Sequence, residues 1–226
     1  MHQLISIAID GPSGAGKSTV ARRTAEKFGF IYVDTGAIYR TVGLAVYRRG
    51  IASGDREAVV ALLPSLSISL RYGDDGVQRM YLDGEDVSAQ IRLPEISIYA
   101  SDVSAFPEVR SFLMEMQRSL ARSHNVIMDG RDIGTVVLPD AGLKIFLTAS
   151  AQARARRRLL ELQQKGQDVT FEEVLRDIEY RDKNDSSRAA APLKAAEDAV
   201  YLDSTQLDFD ETCQAVETLV RERFAL

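Results

Sequence analysis

One octapeptide of this chain has residue types and spacing that do chemistry by themselves. Gly11-Pro12-Ser13-Gly14-Ala15-Gly16-Lys17-Ser18 fits the phosphate-loop pattern G-x-x-x-x-G-K-[ST]. Glycines let successive backbone N–H groups turn inward around a β-phosphate, and the positive end of the following helix adds to that field. Lys17 is then placed to reach the β- and γ-oxygens, and the Ser18 hydroxyl to ligate Mg²⁺. The pattern names a nucleoside triphosphate, with ATP the expected donor, but not a reaction, because switches, motors and small-molecule kinases all use such loops.

Other residues narrow the choice. A GTPase switch would show Asp-x-x-Gly and Asn-Lys-x-Asp, and neither occurs in the 226 residues. Arginines are placed selectively instead: Arg40, Arg131 in Asp129-Gly130-Arg131-Asp132, the group Arg154, Arg156, Arg157 and Arg158, then Arg181 and Arg188. Planar, permanently charged donors suit phosphoryl transfer, where charge spreads over three equatorial oxygens. Lys17, Arg131, Arg157, Arg158 and Arg188 are therefore candidates to stabilise the migrating group. An acceptor that is itself a phosphate is already anionic and needs no general base, which accommodates the lack of a candidate catalytic histidine. Asp129, at the end of an apolar run, is a candidate ligand to magnesium through water, with a helix or turn cap as the plainer reading.

The elements that must position these groups read as α/β. Leu4 to Ile9 is an apolar run ending in Asp10 and the loop, as a strand buried on both faces would. A helix is expected over 18–28, a strand over 30–33 ending in Asp34, and a helix over 37–49. Further strands are expected at 126–128, 143–147 and 199–202. This alternation predicts a parallel sheet flanked by helices, with ligands beyond its carboxyl ends. Between 64 and 93 the pattern changes: Ile68, Leu70 and Tyr72 alternate with polar residues, and Gly73-Asp74-Asp75-Gly76 and Asp83-Gly84 are turn signals. A small inserted antiparallel sheet is expected there, followed by helices from Pro94 and Pro107. The arginine-bearing helix is expected to belong to a lid that excludes water from the triphosphate.

Composition bounds the rest. With 28 Lys+Arg against 33 Asp+Glu the net charge is −5, which argues against general affinity for nucleic acid. One cysteine, Cys213, and two histidines, His2 and His124, form neither an internal disulfide nor a His/Cys zinc site. No apolar stretch approaches the roughly 18 residues of a membrane span, and no signal-peptide pattern opens the chain, so a cytoplasmic, soluble protein is expected. Nothing suggests an obligate oligomer, and a monomer is expected.

Five segments in order, Gly11 to Thr19, Asp34 to Arg40, Asp129 to Thr135, Lys144 to Leu147 and Arg188 to Leu193, together resemble bacterial-type cytidylate kinases of the phosphate-loop nucleoside monophosphate kinase superfamily. The resemblance covers essentially the whole chain. It implies transfer of the γ-phosphoryl of ATP to CMP or dCMP with Mg²⁺, within a single kinase unit over 1–226. A monophosphate-binding region at about 36–110, including the insert at 64–93, and a lid at about 150–190 are implied too. ATP would be held by Gly11, Pro12, Ser13, Gly14, Ala15, Gly16, Lys17, Ser18 and Thr19. Thr35, Arg40, Arg131 and Arg188 would hold the acceptor's phosphate, with Thr35 standing where some members have serine. Arg181 and Asp185 would meet its sugar, and Ser101, Arg110 and Asp132 its base. The residues alone leave open a kinase for another acceptor such as UMP, or a nucleotide-dependent regulatory protein without catalysis.

Overall fold

The computed structural model describes residues 4–164 and 166–226. The chain divides into two compact units, Met1–Tyr32 with Ala121–Leu226, and Val33–Leu120. His2 lies outside the described residues.

The first unit is built on a parallel sheet. Its strands are β1 (Ser6–Asp10), β2 (Ile31–Asp34, whose first two residues fall in this unit), β6 (Val126–Gly130), β7 (Leu143–Thr148) and β8 (Val200–Asp203), in the order β2-β6-β1-β7-β8. β1 sits centrally because Ile7, Ala8 and Ile9 are apolar on both faces and wholly buried. The register pairs Ile7 with Ile127 and Ile9 with Ile145, so the polar ends come level: Asp10 lies opposite Gly130. Helix α1 (Lys17–Phe28) and helix α8 (Phe209–Phe224) lend Val20, Ala21, Cys213, Val216 and Val220 to the same core. Fully burying an isoleucine or leucine contributes about 1.5–3 kcal/mol, so Ile7, Ile9, Ile127, Ile145 and Leu147 fix the sheet's depth. Cys213 is thus an ordinary core residue.

Two further helices of this unit, α6 (Ala151–Gln164) and α7 (Phe171–Ser187), close on a small core of their own, Ala155, Leu162, Val174 and Ile178. Thr170 starts α7 with a reciprocal cap, its hydroxyl accepting from Glu173 N while the Glu173 carboxylate accepts from Thr170 N.

The second unit holds α2 (Thr35–Arg48), α3 (Arg56–Leu62), the antiparallel strands β3 (Ile68–Tyr72), β4 (Gln78–Leu82) and β5 (Glu85–Asp86), α4 (Pro94–Val103) and most of α5 (Pro107–Ser123). The insert's register, Ile68 opposite Leu82 and Tyr72 opposite Gln78, follows from its turns. Asp83 and Gly84 both have positive φ, 52° and 87°, which matches the twist of a tight hairpin.

The expected parallel sheet, flanking helices and small antiparallel sheet are all present. Boundaries differ by one or two residues for local reasons. Helix α2 starts at Thr35, not 37, because the Asp34 carboxylate caps it by accepting from Ala37 N at 2.8 Å. Strand β6 runs on to Gly130 and β8 to Asp203, since ladder pairing continues past the apolar residues. Among the described residues no helix is long and apolar enough to cross a membrane.

Helices α2 and α4 approach closely at Gly43, where a Cβ would stand 2.9 Å from Ala100 N and 3.3 Å from Ile96 O. A leucine at 43 must push the helices apart. Overpacking of this kind costs about 1–3 kcal/mol, so Gly43→Leu is expected to lower Tm by about 2–12 °C in a thermal melt.

Candidate active site

The phosphate loop joins β1 to α1 and is shaped by its glycines. Gly11 has φ 151°, and a Cβ there would meet Leu147 O at 1.9 Å, so no other residue fits. Gly14 and Gly16 are left-handed at 73° and 85°. Pro12, Ser13, Ala15 and Lys17 are buried, whereas Gly14, Gly16 and Thr19 are exposed. Lys17 Nζ donates to Pro12 O at 2.7 Å, drawing its ammonium back across the loop. Burial first, and then the positive charge of Arg131, push Lys17 down to about 7 against the pull of Asp129, Asp10 and Asp185. Anionic phosphates at the loop reverse that balance.

The ends of the strands supply carboxylates. Asp129 accepts from Ser18 Oγ at 2.9 Å and from Tyr32 Oη at 2.8 Å, one hydroxyl on each oxygen. A serine hydroxyl beside a buried carboxylate is an all-oxygen donor pair that fits Mg²⁺, a hard cation that retains most of its waters. Among the described residues no cluster of three or more His, Cys, Asp or Glu side chains gathers for a metal. The second carboxylate, Asp10, accepts from Ile133 N and Gly134 N, both at 2.7 Å. Burial raises it to about 6, although the two N–H bonds favour its ionised form. Asp10 thereby pins the π-helical turn Ile133–Val137 directly after Asp132.

Two arginines of this unit meet Asp185 on α7. Arg131 Nε donates to Asp185 Oδ2 at 2.7 Å. Arg188 lies 3.6 Å from Asp132 and 3.7 Å from Asp185, and its Nε donates to Ala191 O at 2.7 Å. Burial works to raise the Asp185 carboxyl, but Arg131 and Arg188 outweigh it and hold it below the usual range. Lys17, Ser18, Asp129, Arg131, Asp132, Asp185 and Arg188 are thus brought into one network, with Arg181 acting on Asp185 from the same helix.

The α6 arginines divide into different roles. Arg157 donates to Ser204 Oγ, Ser204 O and Leu207 O, tying α6 to the loop after β8. Arg158 pairs with Glu161 one turn on, and Arg156 is exposed. Arg154, grouped with them as one arginine-rich helix face, is buried and faces inward: it donates to Ala149 O, to Ser13 O and twice to Asp182.

In the second unit one carboxylate organises two cations. Asp34 takes Arg40 at 2.9 and 3.2 Å and Arg92 at 2.9 Å, while its backbone is matched by the Gln78 amide. Burial favours the neutral acid, yet Arg40 and Arg92 hold the Asp34 carboxyl below its ordinary value. Thr35, next along, is buried in the first turn of α2. Ser101 and Arg110 meet through Ser104, whose hydroxyl donates to Ser101 O and whose carbonyl accepts from Arg110 at 3.2 Å. The Arg110 guanidinium lies over the Tyr39 ring, 5.3 Å from its centroid.

Reasoning from the sequence singled out Arg154 but missed its pairing with Asp182, and it missed Tyr32, Arg92 and the use of Asp10 as an anchor. A tyrosine in an otherwise apolar strand, and a charged residue on the inner stripe of a helix, are the signals that mark such positions.

Comparison with known proteins shows the family to which the chain belongs. The family model for cytidylate kinase matches residues 7–222. The cytidylate kinase of Caldicellulosiruptor bescii is 55% identical over 212 residues, covering 94% of this chain and 93% of the relative. That of Lactobacillus johnsonii is 45% identical over 223 residues, covering 99% and 96%. A crystal structure of an uncharacterized protein from Eubacterium ventriosum superimposes with a TM-score of 0.50 at 12% identity, covering 97% of this chain and 99% of that one, a likeness of fold alone. A family model spanning nearly the whole chain, and relatives at about half identity over the same span, leave one conclusion: this chain belongs to the cytidylate kinase family.

Proposed function

We infer that this protein transfers the γ-phosphoryl group of ATP to CMP or dCMP, releasing ADP and CDP or dCDP. The observation that carries the reading is the cytidylate kinase match across residues 7–222, with its phosphate loop set between a buried strand and a helix. In the reaction an oxygen of the acceptor's phosphate attacks the γ-phosphorus. The bond from that phosphorus to the β–γ bridging oxygen breaks, and ADP leaves with the electron pair.

The roles proposed for individual residues come from the family resemblance, and contacts of the side chains support some of them. Gly11 to Thr19 hold ATP, the β-phosphate by backbone N–H groups of the residues after Pro12, and Lys17 leaves Pro12 O for the β- and γ-oxygens. Ser18 directly, and Asp129 through water, would hold Mg²⁺, which when bound would offset negative charge on the donor's phosphates. Arg131 and Arg188, preset by Asp185 and Asp132, stabilise the acceptor phosphate and the migrating group. Arg157 and Arg158 on α6 serve the lid over ATP, Arg157 through its hold on the loop at 204–207. In the second unit Thr35 and Arg40 take the acceptor phosphate, with Asp34 fixing the guanidinium. Ser101 and Arg110 of that unit, and Asp132 of the first, read the base, while Arg181 and Asp185 meet the sugar.

A coupled assay of ADP release with CMP, dCMP, UMP and AMP tests the reaction itself. Strong stimulation by CMP and dCMP is expected; stimulation by another monophosphate alone, or by none, overturns it. The base-reading role of Asp132 rests on cytosine offering an exocyclic amine where uracil offers a carbonyl. Asp132→Asn is expected to narrow the preference for CMP over UMP by about tenfold to a hundredfold in kcat/KM. Asp185 carries two duties, the sugar and Arg131. Asp185→Ala is therefore expected to lower kcat with both acceptors, because Arg131 loses its anchor, and to bring the kcat/KM values of CMP and dCMP closer together. An unaltered CMP to dCMP ratio would remove the sugar contact.

A further inference from the structure

The guanidinium of Arg154 is nearly excluded from solvent, and all of its partners lie in the first unit. Its Nε donates to Ala149 O at 2.8 Å, one terminal nitrogen donates to Ser13 O at 2.8 Å, and both terminal nitrogens reach the Asp182 carboxylate, at 3.1 and 2.6 Å. Asp182 is on α7, one residue from Arg181 and three from Asp185. The backbone of the phosphate loop rests against the same side chain: a Cβ at Gly14 would stand 3.3 Å from Arg154 Cβ and 3.6 Å from Ile178 Cδ1. Two helices and the loop therefore meet at one planar ion pair, whose arginine is buried and whose Asp182 side chain is partly exposed.

The consequence lies in the peptide plane. The bond joining Ser13 to Gly14 is trans, so its C=O and N–H point to opposite sides. Holding Ser13 O on Arg154 turns the Gly14 N–H away from α6. A cation on the carbonyl also polarises the peptide and strengthens its N–H as a donor. Only the fork of an arginine meets Ser13 O and both Asp182 oxygens at once; a lysine supplies the charge without that geometry. The left-handed Gly14, φ 73°, is the residue that lets the peptide take this orientation.

We propose that Arg154, braced by Asp182, is a positioning residue of the phosphate loop: it orients the Ser13–Gly14 peptide so that the Gly14 N–H faces the donor's β-phosphate, and it makes that orientation depend on helix α7. The inference rests on the reading that this loop binds ATP. A merely structural pair would affect stability alone. A positioning pair affects nucleotides that carry a β-phosphate and spares those that lack one.

The test uses the full chain in four forms: wild type, Arg154→Lys, Asp182→Asn and Lys17→Ala. ADP binding is measured by calorimetry, AMP binding by competition at the donor site against a fluorescent ATP analogue, and folding by circular dichroism and Tm. Arg154→Lys is expected to weaken ADP by about tenfold or more, the scale of one charge-assisted hydrogen bond. Asp182→Asn, which keeps Arg154 and its backbone bonds, is expected to weaken ADP by a smaller factor of about threefold to tenfold, and carries the test if Arg154→Lys does not fold. AMP affinity and the KM for CMP are expected to stay within about twofold, inside the scatter of neutral changes. ADP affinity unchanged in the folded variants, while Lys17→Ala weakens it, overturns the proposal alone. A lowered Tm with equal losses for ADP and AMP overturns it too, in favour of a structural role. ADP affinity unchanged in Lys17→Ala as well overturns the donor reading of the loop, and the proposal with it.

Discussion

A carboxylate removed from water must be answered by a donor or a cation within hydrogen-bond reach, and the candidate site consists of such answers. Asp10, Asp34, Asp129 and Asp185 are all buried. Asp10 is answered by two backbone N–H groups, Asp129 by two hydroxyls, Asp34 by two arginines and Asp185 by Arg131 with Arg188 nearby. Leaving a buried charge of this kind without its partner costs about 3–5 kcal/mol, a large share of the 5–15 kcal/mol that typically separates a folded domain from its unfolded chain. Each acid therefore fixes the conformation of what it binds. All four act as anchors: Asp34 and Asp185 hold arginines, while Asp10 and Asp129 hold backbone N–H groups and hydroxyls.

That division explains why the acids sit where they do. The parallel register brings the ends of β1 and β6 level, Asp10 beside Gly130, while β7 runs two residues past Phe146, the other neighbour of Asp10. Side chains at those ends leave the apolar interior and face groups that need satisfying: the first turn of a helix, the N–H groups after Asp132, the hydroxyl at the start of α1. A ligand at the strand ends meets donors already oriented, so less of its binding free energy goes into ordering them.

The framework of this arrangement is legible in the chain, and its cross-links are not. Runs such as Leu4 to Ile9 and Val126 to Met128 have the composition of doubly buried strands, and Gly11 to Ser18 has a spacing that only a phosphate loop needs. Asp83-Gly84 marks a hairpin because positive φ at both positions is rare for other pairs. By contrast, Asp10 meets Gly134 across 124 residues, Tyr32 meets Asp129 across 97, and Arg154 meets Ser13 across 141. No local periodicity encodes a contact at that separation. Burial of a charged residue is the one trace it leaves, and in a helix as rich in arginine as α6 the trace is masked by neighbours that are solvated.

The masking shows how a single helix serves two ends of the sheet. Arg154 and Arg157 are three residues apart on α6, so they share a face. One grips Ser13, in the loop after β1; the other grips Ser204 and Leu207, in the loop after β8. Between those loops lies β7, so the helix spans the carboxyl edge from the central strand to the outermost one. Arg158 falls outside this grip and pairs with Glu161 near the surface, which leaves its charge weakly held and available. The small α6–α7 core of four buried residues, with five partly buried apolar side chains packed against it, is non-directional, whereas the two guanidinium grips are directional and set the helix's azimuth. Of the two grips it is Arg154 that joins α7 to the phosphate loop, through Asp182 on one side and Ser13 O on the other.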